Sequence, residues 1–146
     1  MMNRPARGFT LIELGVTLAV IGVLAALGWG GYSHHILKAK RAEGRAALLH
    51  VLLQQERQYA YHHSYQAFRP GVNAAEFKWY SGERPHTSAY SIAAEPCGDE
   101  DLRGCVRVTA TPGGPMVNSA WRDGQCGQLY ADSRGRRGAD GGLACW

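Results

Sequence analysis

The chain lacks the cysteine and histidine patterns of common metal sites. No cysteine precedes Cys97 and no two cysteines form a Cys-x-x-Cys pair, whereas zinc-binding modules use such pairs or histidines at set spacings. His34 and His35, like His62 and His63, are adjacent. On a helix, adjacent side chains point about 100° apart, and shared ligation needs a spacing of three or four. We therefore expect neither a metal site nor a cofactor.

A catalytic constellation is also missing. Ser33 stands beside His34, and residues 99–101 form an acidic run, but nothing supplies a nucleophile together with a base and an orienting group. The acidic run lacks the spaced oxygen ligands of a calcium loop. These absences argue against an enzyme and against calcium binding.

Charge is nearly absent from residues 9–31, where Glu13 is the one charged residue. An apolar run of about 20 residues is long enough to cross a bilayer, so these residues are predicted to form a membrane-spanning helix. The run is longer than the core of a secretory signal peptide and no Ala-x-Ala-like site follows it. The small-residue break lies before the run, at Gly8, so processing is expected there.

Residues 7–14, RGFTLIEL, and residues 20–26, VIGVLAA, resemble the class III signal of type IV pilins and of the pseudopilins of type II secretion. The resemblance implies that a prepilin peptidase cuts between Gly8 and Phe9. It also implies that Phe9 becomes the N-methylated terminus and that Glu13 takes the fifth mature position. Loss of Arg4 and Arg7 with the leader would lower the formal net charge from +4 to +2.

Glu13 is the predicted assembly residue. A carboxylate inside a membrane helix costs about 2.5–3.5 kcal/mol on insertion scales, so it usually faces a partner. After cleavage, the ammonium of Phe9 on a neighbouring subunit would neutralise Glu13 in the filament core and fix the axial register. The alternative is that Glu13, one turn from the helix start, only favours the positive end of the helix dipole.

Four segments follow from this organisation: a leader over 1–8, a transmembrane helix and filament core over 9–31, an amphipathic continuation over 32–63, and a periplasmic or extracellular globular region over 64–146. In the third segment, spacings of three and four predict an apolar face covered by the strands that follow. Its members are Ala42, Ala46, Leu49 and Leu53, with Leu52, Glu56 and Tyr59.

A glycine cluster, Gly28, Gly30 and Gly31, lies at the end of the apolar run. Each glycine costs about 1 kcal/mol relative to alanine in a helix, so the cluster would be a weak point that can stretch or bend. The alternative is close helix packing through small residues in the membrane.

Alternating patterns predict three strands, over residues 89–95, 105–111 and 127–132. An antiparallel meander packed on the long helix is the economical arrangement. The fold class is therefore α+β, and the order of elements is similar to the type IV pilin fold. That resemblance implies a long N-terminal helix, transmembrane in its first half, packed on a small antiparallel sheet with a disulfide-bounded C-terminal loop.

The four cysteines predict two disulfides, because an even number lies beyond the membrane segment in a small exported domain. Three connectivities are open. Pairing Cys97 with Cys105 and Cys126 with Cys145 is favoured, because each pair closes a local glycine-rich loop. Each would stabilise the domain by about 2–4 kcal/mol and requires an oxidising compartment.

A glycine-flanked basic cluster lies in the tail, with one further arginine nearby in sequence: Arg134, Arg136 and Arg137, with Arg122. Competence pilins of the family bind DNA through such regions, and a stripe of arginines can grip phosphates. The alternative is a solvated turn whose charges keep the filament surface soluble or pair with Asp132 and Asp140.

These observations predict a minor-pilin-like structural subunit of a type IV pilus that serves pilus assembly, with adhesion, twitching motility or DNA uptake as outputs. The alternatives are a DNA-binding competence pilin and a type II secretion pseudopilin, which the four cysteines oppose. Expected partners are other pilin subunits, the prepilin peptidase, the inner-membrane assembly platform, the membrane and, for a competence pilin, DNA. The precursor is expected to be a single-pass inner-membrane protein with its C-terminal region in the periplasm, and the mature subunit extracellular in the pilus.

Overall fold

The computed structural model describes residues 9–146, except for the side chains of residues 27–31. Two compact units divide the chain, one ending at Leu37 and the other running Lys38–Trp146. A single helix, α1, runs Leu11–His62. Four strands follow: β1 at Tyr90–Pro96, β2 at Val106–Pro112, β3 at Leu129–Asp132 and β4 at Arg137–Ala139. Short 3-10 helices lie at Pro85–Thr87 and Leu143–Cys145.

Both ends of α1 carry local signals. Glu13 N donates to Thr10 Oγ1 at 3.3 Å and Thr10 N donates to Glu13 Oε2 at 3.1 Å, which is the reciprocal arrangement of a capping box. At the other end, His63 has a φ of 54° and donates its N–H to Tyr59 O at 2.8 Å. A residue in the left-handed region closes a helix in this way. The helix therefore ends one residue before the predicted limit of 63.

The backbone of the predicted membrane segment, 9–31, is described and is helical from Leu11 onward, but the side chains of residues 27–31 are not described. In residues 9–26 every residue is exposed. The predicted weak point at Gly28, Gly30 and Gly31 lies within residues 27–31 and so outside the fully described residues. Over the part of the chain that the structure covers, no helix is long and apolar enough to cross a membrane.

The sheet is antiparallel throughout and its strand order is β1-β2-β3-β4, which confirms the predicted α+β fold with a small antiparallel meander. The three predicted strands are present with bounds shifted by one or two residues. The fourth strand, β4, was not predicted, because its three residues, RGA, include no β-branched or aromatic side chain of the kind enriched in strands.

The core lies between one face of the sheet and α1. Strand residues alternate between buried and half-buried along β1 and β2, as expected for a sheet with one covered face. A Cβ added to Gly44 would lie 3.1 Å from Tyr90 Cδ2 and 3.4 Å from Leu129 Cδ1, so the glycine allows the helix to approach the sheet closely. The helix residues buried on this face are Arg41, Gly44, Ala47, Leu48, Val51 and Gln55.

The prediction for the apolar face of the helix is correct for Leu52, which is half-buried against the core, and wrong for its other aliphatic members. Leu49 is 51% exposed and Leu53 is 61% exposed, and Ala42 and Ala46 are exposed as well. The sheet covers the stripe that passes through Gly44, where the missing side chain leaves room for Tyr90 and Leu129. The stripe that carries the two exposed leucines faces away from the core.

The Lys38–Trp146 unit contains the buried core cluster and both disulfides. Every residue of the hydrophobic core cluster falls between Ala47 and Cys145, and both disulfides lie within the same unit. Buried Gln55 also finds its partners inside the unit, because its side-chain amide exchanges hydrogen bonds of 2.7 and 2.9 Å with the backbone of Gln66. A chain beginning at Lys38 therefore retains the whole buried core cluster, and we expect it to fold by itself.

Candidate functional site

The first turn of α1 carries a carboxylate, that of Glu13, of which one oxygen is hydrogen-bonded within the turn. Glu13 Oε2 accepts hydrogen bonds from Thr10 N at 3.1 Å and from Thr10 Oγ1 at 3.0 Å. Among the described residues, no hydrogen bond reaches Glu13 Oε1. Phe9, 89% exposed, adjoins this cap, while Gly8 lies outside the described residues. The capping box gives Glu13 a local structural role and leaves its second oxygen open to an incoming cation.

The β3–β4 turn brings three of the four predicted arginines together. We call residues 132–137 the arginine turn. Asp132, 2% exposed, organises it: Asp132 Oδ1 accepts the N–H groups of Arg134 at 3.0 Å and Arg136 at 2.9 Å, and Oδ2 accepts Arg136 Nε at 2.7 Å. Gly135, with a φ of 81°, completes the turn through its N–H to Asp132 O at 3.0 Å.

The guanidinium groups of the turn differ in what they contact. Arg134 forms an ion pair with Glu100, and Arg136 pairs with Asp132. Arg137 lies over the ring of Trp146, with 6.0 Å from its guanidinium carbon to the ring centroid. Within the described structure, Arg137 has no carboxylate partner.

Arg122 belongs to a different loop. Its Nη1 donates to Ser119 O at 2.6 Å and to Trp121 O at 2.8 Å. Asp140, one of the two acids considered as arginine partners, instead accepts Gln128 N at 3.0 Å. The predicted set of four arginines therefore separates into a turn of three and one arginine that binds backbone oxygens elsewhere.

A buried ion pair anchors the C-terminal loop to the helix. Arg41 donates Nε and Nη2 to the two oxygens of Asp123, each at 2.7 Å, and Tyr90 Oη donates to Asp123 Oδ2 at 2.8 Å. Cys126 N donates to Asp123 Oδ1 at 3.0 Å. One carboxylate thus joins α1, β1 and the C-terminal loop.

The anchor shifts the pKa values of its members. Burial by itself would raise the pKa of Asp123, but the hydrogen bonds from Arg41, Cys126 N and Tyr90 outweigh it and lower the pKa from 3.8 to about 2. Burial, and next the hydrogen bond to Asp123, raises the pKa of Tyr90. Asp123 is therefore ionised and Tyr90 protonated at neutral pH.

This anchor is not among the sites predicted from the sequence. Arg41 nevertheless precedes Gly44, Leu48 and Val51 at the spacing of the buried face. A charged residue in register with buried positions is the signal that indicates a buried partner, because an unpaired buried charge is too costly to persist. The identity of the partner, 82 residues away, has no local signal.

Two disulfides close loops of the Lys38–Trp146 unit. Cys97 pairs with Cys105 and Cys126 pairs with Cys145, which are the local pairs that the sequence favoured. We call the second one the C-terminal disulfide. It closes the loop that includes β3, the arginine turn and β4, and so it ties that hairpin to the Asp123 anchor.

One group of described residues has the proximity, but not the chemistry, of a metal site. The ligand atoms of Cys97, Cys105 and Asp132 lie within 4.8 Å of one another. The two sulfur atoms are bonded to each other, and a metal needs thiolates. This group therefore offers a single carboxylate and does not suit a metal ion.

Comparison with known proteins connects these features to a family. Residues 3–29 match the prokaryotic N-terminal methylation motif. The type IV major pilin protein PilA of Myxococcus xanthus is 27% identical over 124 residues, which cover 84% of this chain and 53% of that protein. The type IV major fimbrial protein FimA of Dichelobacter nodosus is 47% identical over 43 residues, 30% of this chain and 27% of that protein.

The chain thus spans about half the length of the first relative and about a quarter of the second.

A further match covers most of the Lys38–Trp146 unit. Residues 31–130, more than half of the chain, match the model of the family described as type IV minor pilin ComP, DNA uptake sequence receptor. With this extent of match, the chain belongs to the ComP family of type IV minor pilins.

Proposed function

We propose that this protein is a minor, non-enzymatic subunit of a type IV pilus and that its Lys38–Trp146 unit binds DNA outside the cell. The observation that carries the proposal is the match of residues 31–130 to a family of DNA uptake sequence receptors. The methylation motif over residues 3–29 supports the pilus part of the proposal.

Assembly would begin with a precursor held in the inner membrane by residues 9–31, with its C-terminal region in the periplasm. A prepilin peptidase would cut between Gly8 and Phe9, and Phe9 would be N-methylated. The assembly platform would then pass the subunit to other pilins. Glu13 would bind the ammonium of a neighbouring Phe9 through Oε1, because Thr10 already occupies Oε2. The charge pair would set the register between subunits.

DNA binding would use phosphate contacts of the arginine turn. Its three guanidinium groups are exposed, and Arg137 has no carboxylate partner in the described structure. Arginine side chains that replace counterions on DNA give an affinity that falls with salt, by a log–log slope of about 0.9 for each phosphate neutralised. Arg122 donates to backbone oxygens, so it contributes less.

The experiment measures binding of a fluorescent DNA duplex to the Lys38–Trp146 unit over a salt series. The test variant changes Arg134, Arg136 and Arg137 to Ala. The matched control removes the same charge from three other exposed arginines: Arg57, Arg69 and Arg84. Circular dichroism checks that both variants keep the fold.

The proposal predicts binding that weakens with salt, is much weaker but still measurable at low salt in the turn variant, and persists in the control. The salt slope should fall by about 1 for each phosphate contact removed. Equal losses in both variants would reduce the effect to net charge and contradict a DNA site at the turn. Absence of binding by the unaltered unit at physiological salt would contradict the DNA part of the proposal and leave the pilus part standing.

A further inference from the structure

An acidic loop lies against the arginine turn. We call residues 98–104 the acidic loop; it is closed by the Cys97–Cys105 disulfide. It carries three acidic residues and one arginine, a net charge of −2, whereas the arginine turn carries three arginines and one aspartate, a net charge of +2. The ion pair between Glu100 and Arg134 joins these two oppositely charged segments across 34 positions of sequence.

The acidic loop is held in place from within. Cys97 N donates to Cys105 O at 3.3 Å, and Glu100 N donates to Cys97 O at 3.2 Å. Asp101 Oδ1 accepts the N–H groups of Arg103 at 3.0 Å and Gly104 at 3.1 Å. The disulfide and these bonds fix the backbone that presents Glu100, so its carboxylate is pre-positioned at Arg134 and loses little conformational entropy on pairing.

The partner of Glu100 is equally fixed. The backbone N–H of Arg134 is bound by buried Asp132 at 3.0 Å, so the turn cannot easily carry Arg134 away from the acidic loop. The side chains of the pair keep 49% and 38% exposure for Arg134 and Glu100. A solvent-borne anion can therefore reach Arg134, but it must compete with a carboxylate that is already in place.

We propose that the acidic loop is an intramolecular competitor for the arginine turn: Glu100 occupies Arg134 in the free protein, and a nucleic-acid phosphate must displace it to bind. This inference rests on the DNA-binding function proposed above. Asp99 and Asp101, exposed on the same loop, add repulsion toward phosphate. The acidic loop thereby lowers the affinity of the arginine turn for DNA and for other polyanions.

The test compares Glu100→Gln with Glu83→Gln in the Lys38–Trp146 unit, using duplex DNA. Glu83 is exposed and lies near the opposite end of β1 from the acidic loop. It follows Ser81, whose N–H donates to Tyr90 O at the start of β1, whereas the acidic loop follows the end of that strand. Both variants remove one negative charge, but only Glu100→Gln frees Arg134. The same pair of substitutions is repeated in an Arg134→Ala background.

Glu100→Gln should bind DNA about two- to fivefold more tightly than the unaltered unit, which is the range that an exposed ion pair supports. Glu83→Gln should change the affinity little, and the gain from Glu100→Gln should vanish in the Arg134→Ala background. Equal effects of the two glutamine variants, or a gain that survives without Arg134, would overturn the competitor role while the DNA-binding function stands. No binding by any variant would overturn both.

Discussion

Replacing Asp123 by Asn should strongly destabilise the Lys38–Trp146 unit. The substitution keeps the size of the side chain but leaves the Arg41 charge without its counterion. The Arg41 and Asp123 side chains are 10% and 0% exposed, so water cannot take over the lost pairing. Removing one partner of a buried ion pair costs about 3–5 kcal/mol, which is a large part of the roughly 5–15 kcal/mol that stabilises a typical domain.

Urea unfolding followed by tryptophan fluorescence measures the loss. Asp99→Asn is the matched control, because Asp99 is exposed and no side-chain partner is seen for it among the described residues. The folded pKa of Asp123, about 2, lies below its ordinary value of 3.8. Its contribution is therefore present above about pH 4 and is lost as the pH falls toward 2.

The stability difference between the unaltered unit and Asp123→Asn should narrow over that same acid range, and the Asp99→Asn control should show no such convergence. A loss of stability below about 1 kcal/mol at neutral pH, close to that of an exposed pair, would refute the anchor as a buried ion pair. A stability difference between the unaltered unit and Asp123→Asn that stays constant down to about pH 2 would refute it as well.

Three further outcomes are expected. Removing the C-terminal disulfide should cost about 0.7 kcal/mol more than removing the disulfide of the acidic loop, because it closes the longer loop; equal midpoints in urea would contradict this. Gly141→Ala should lower the free energy of unfolding by about 1–3 kcal/mol, since a Cβ there would overlap Gln125 O. A Cβ at Gly124 would meet no atom within 4 Å, so the control Gly124→Ala should unfold at the same urea concentration as the unaltered unit. Glu13→Gln should leave the precursor processed but reduce its recovery in sheared pili, as measured by immunoblot, and unchanged recovery would argue against charge pairing in assembly.

Local patterns were enough to predict much of the fold. The nearly uncharged run after Gly8 indicates the first part of the helix, alternation indicates β1 to β3, and short sequence separation favours the two disulfides that the structure contains. Each of these signals depends on neighbours within one helix, one strand or one loop.

Features that depend on tertiary packing were not predictable in the same way. The covered face of α1 is chosen by the close approach at Gly44, so the more hydrophobic Leu49 and Leu53 stay exposed. The Arg41 and Asp123 pair joins residues 82 positions apart. The pairing of Arg134 with Glu100 likewise depends on how the acidic loop and the arginine turn meet at one end of the sheet.

The pilus assignment is tested most directly by mass spectrometry of filaments sheared from cells that express the full chain. A processed pilus subunit should yield an N-terminal peptide that begins at Phe9 and carries a methyl group. Peptides that begin at Met1, or absence of the chain from filaments while it remains in the membrane fraction, would contradict the assignment of this protein as a processed pilus subunit.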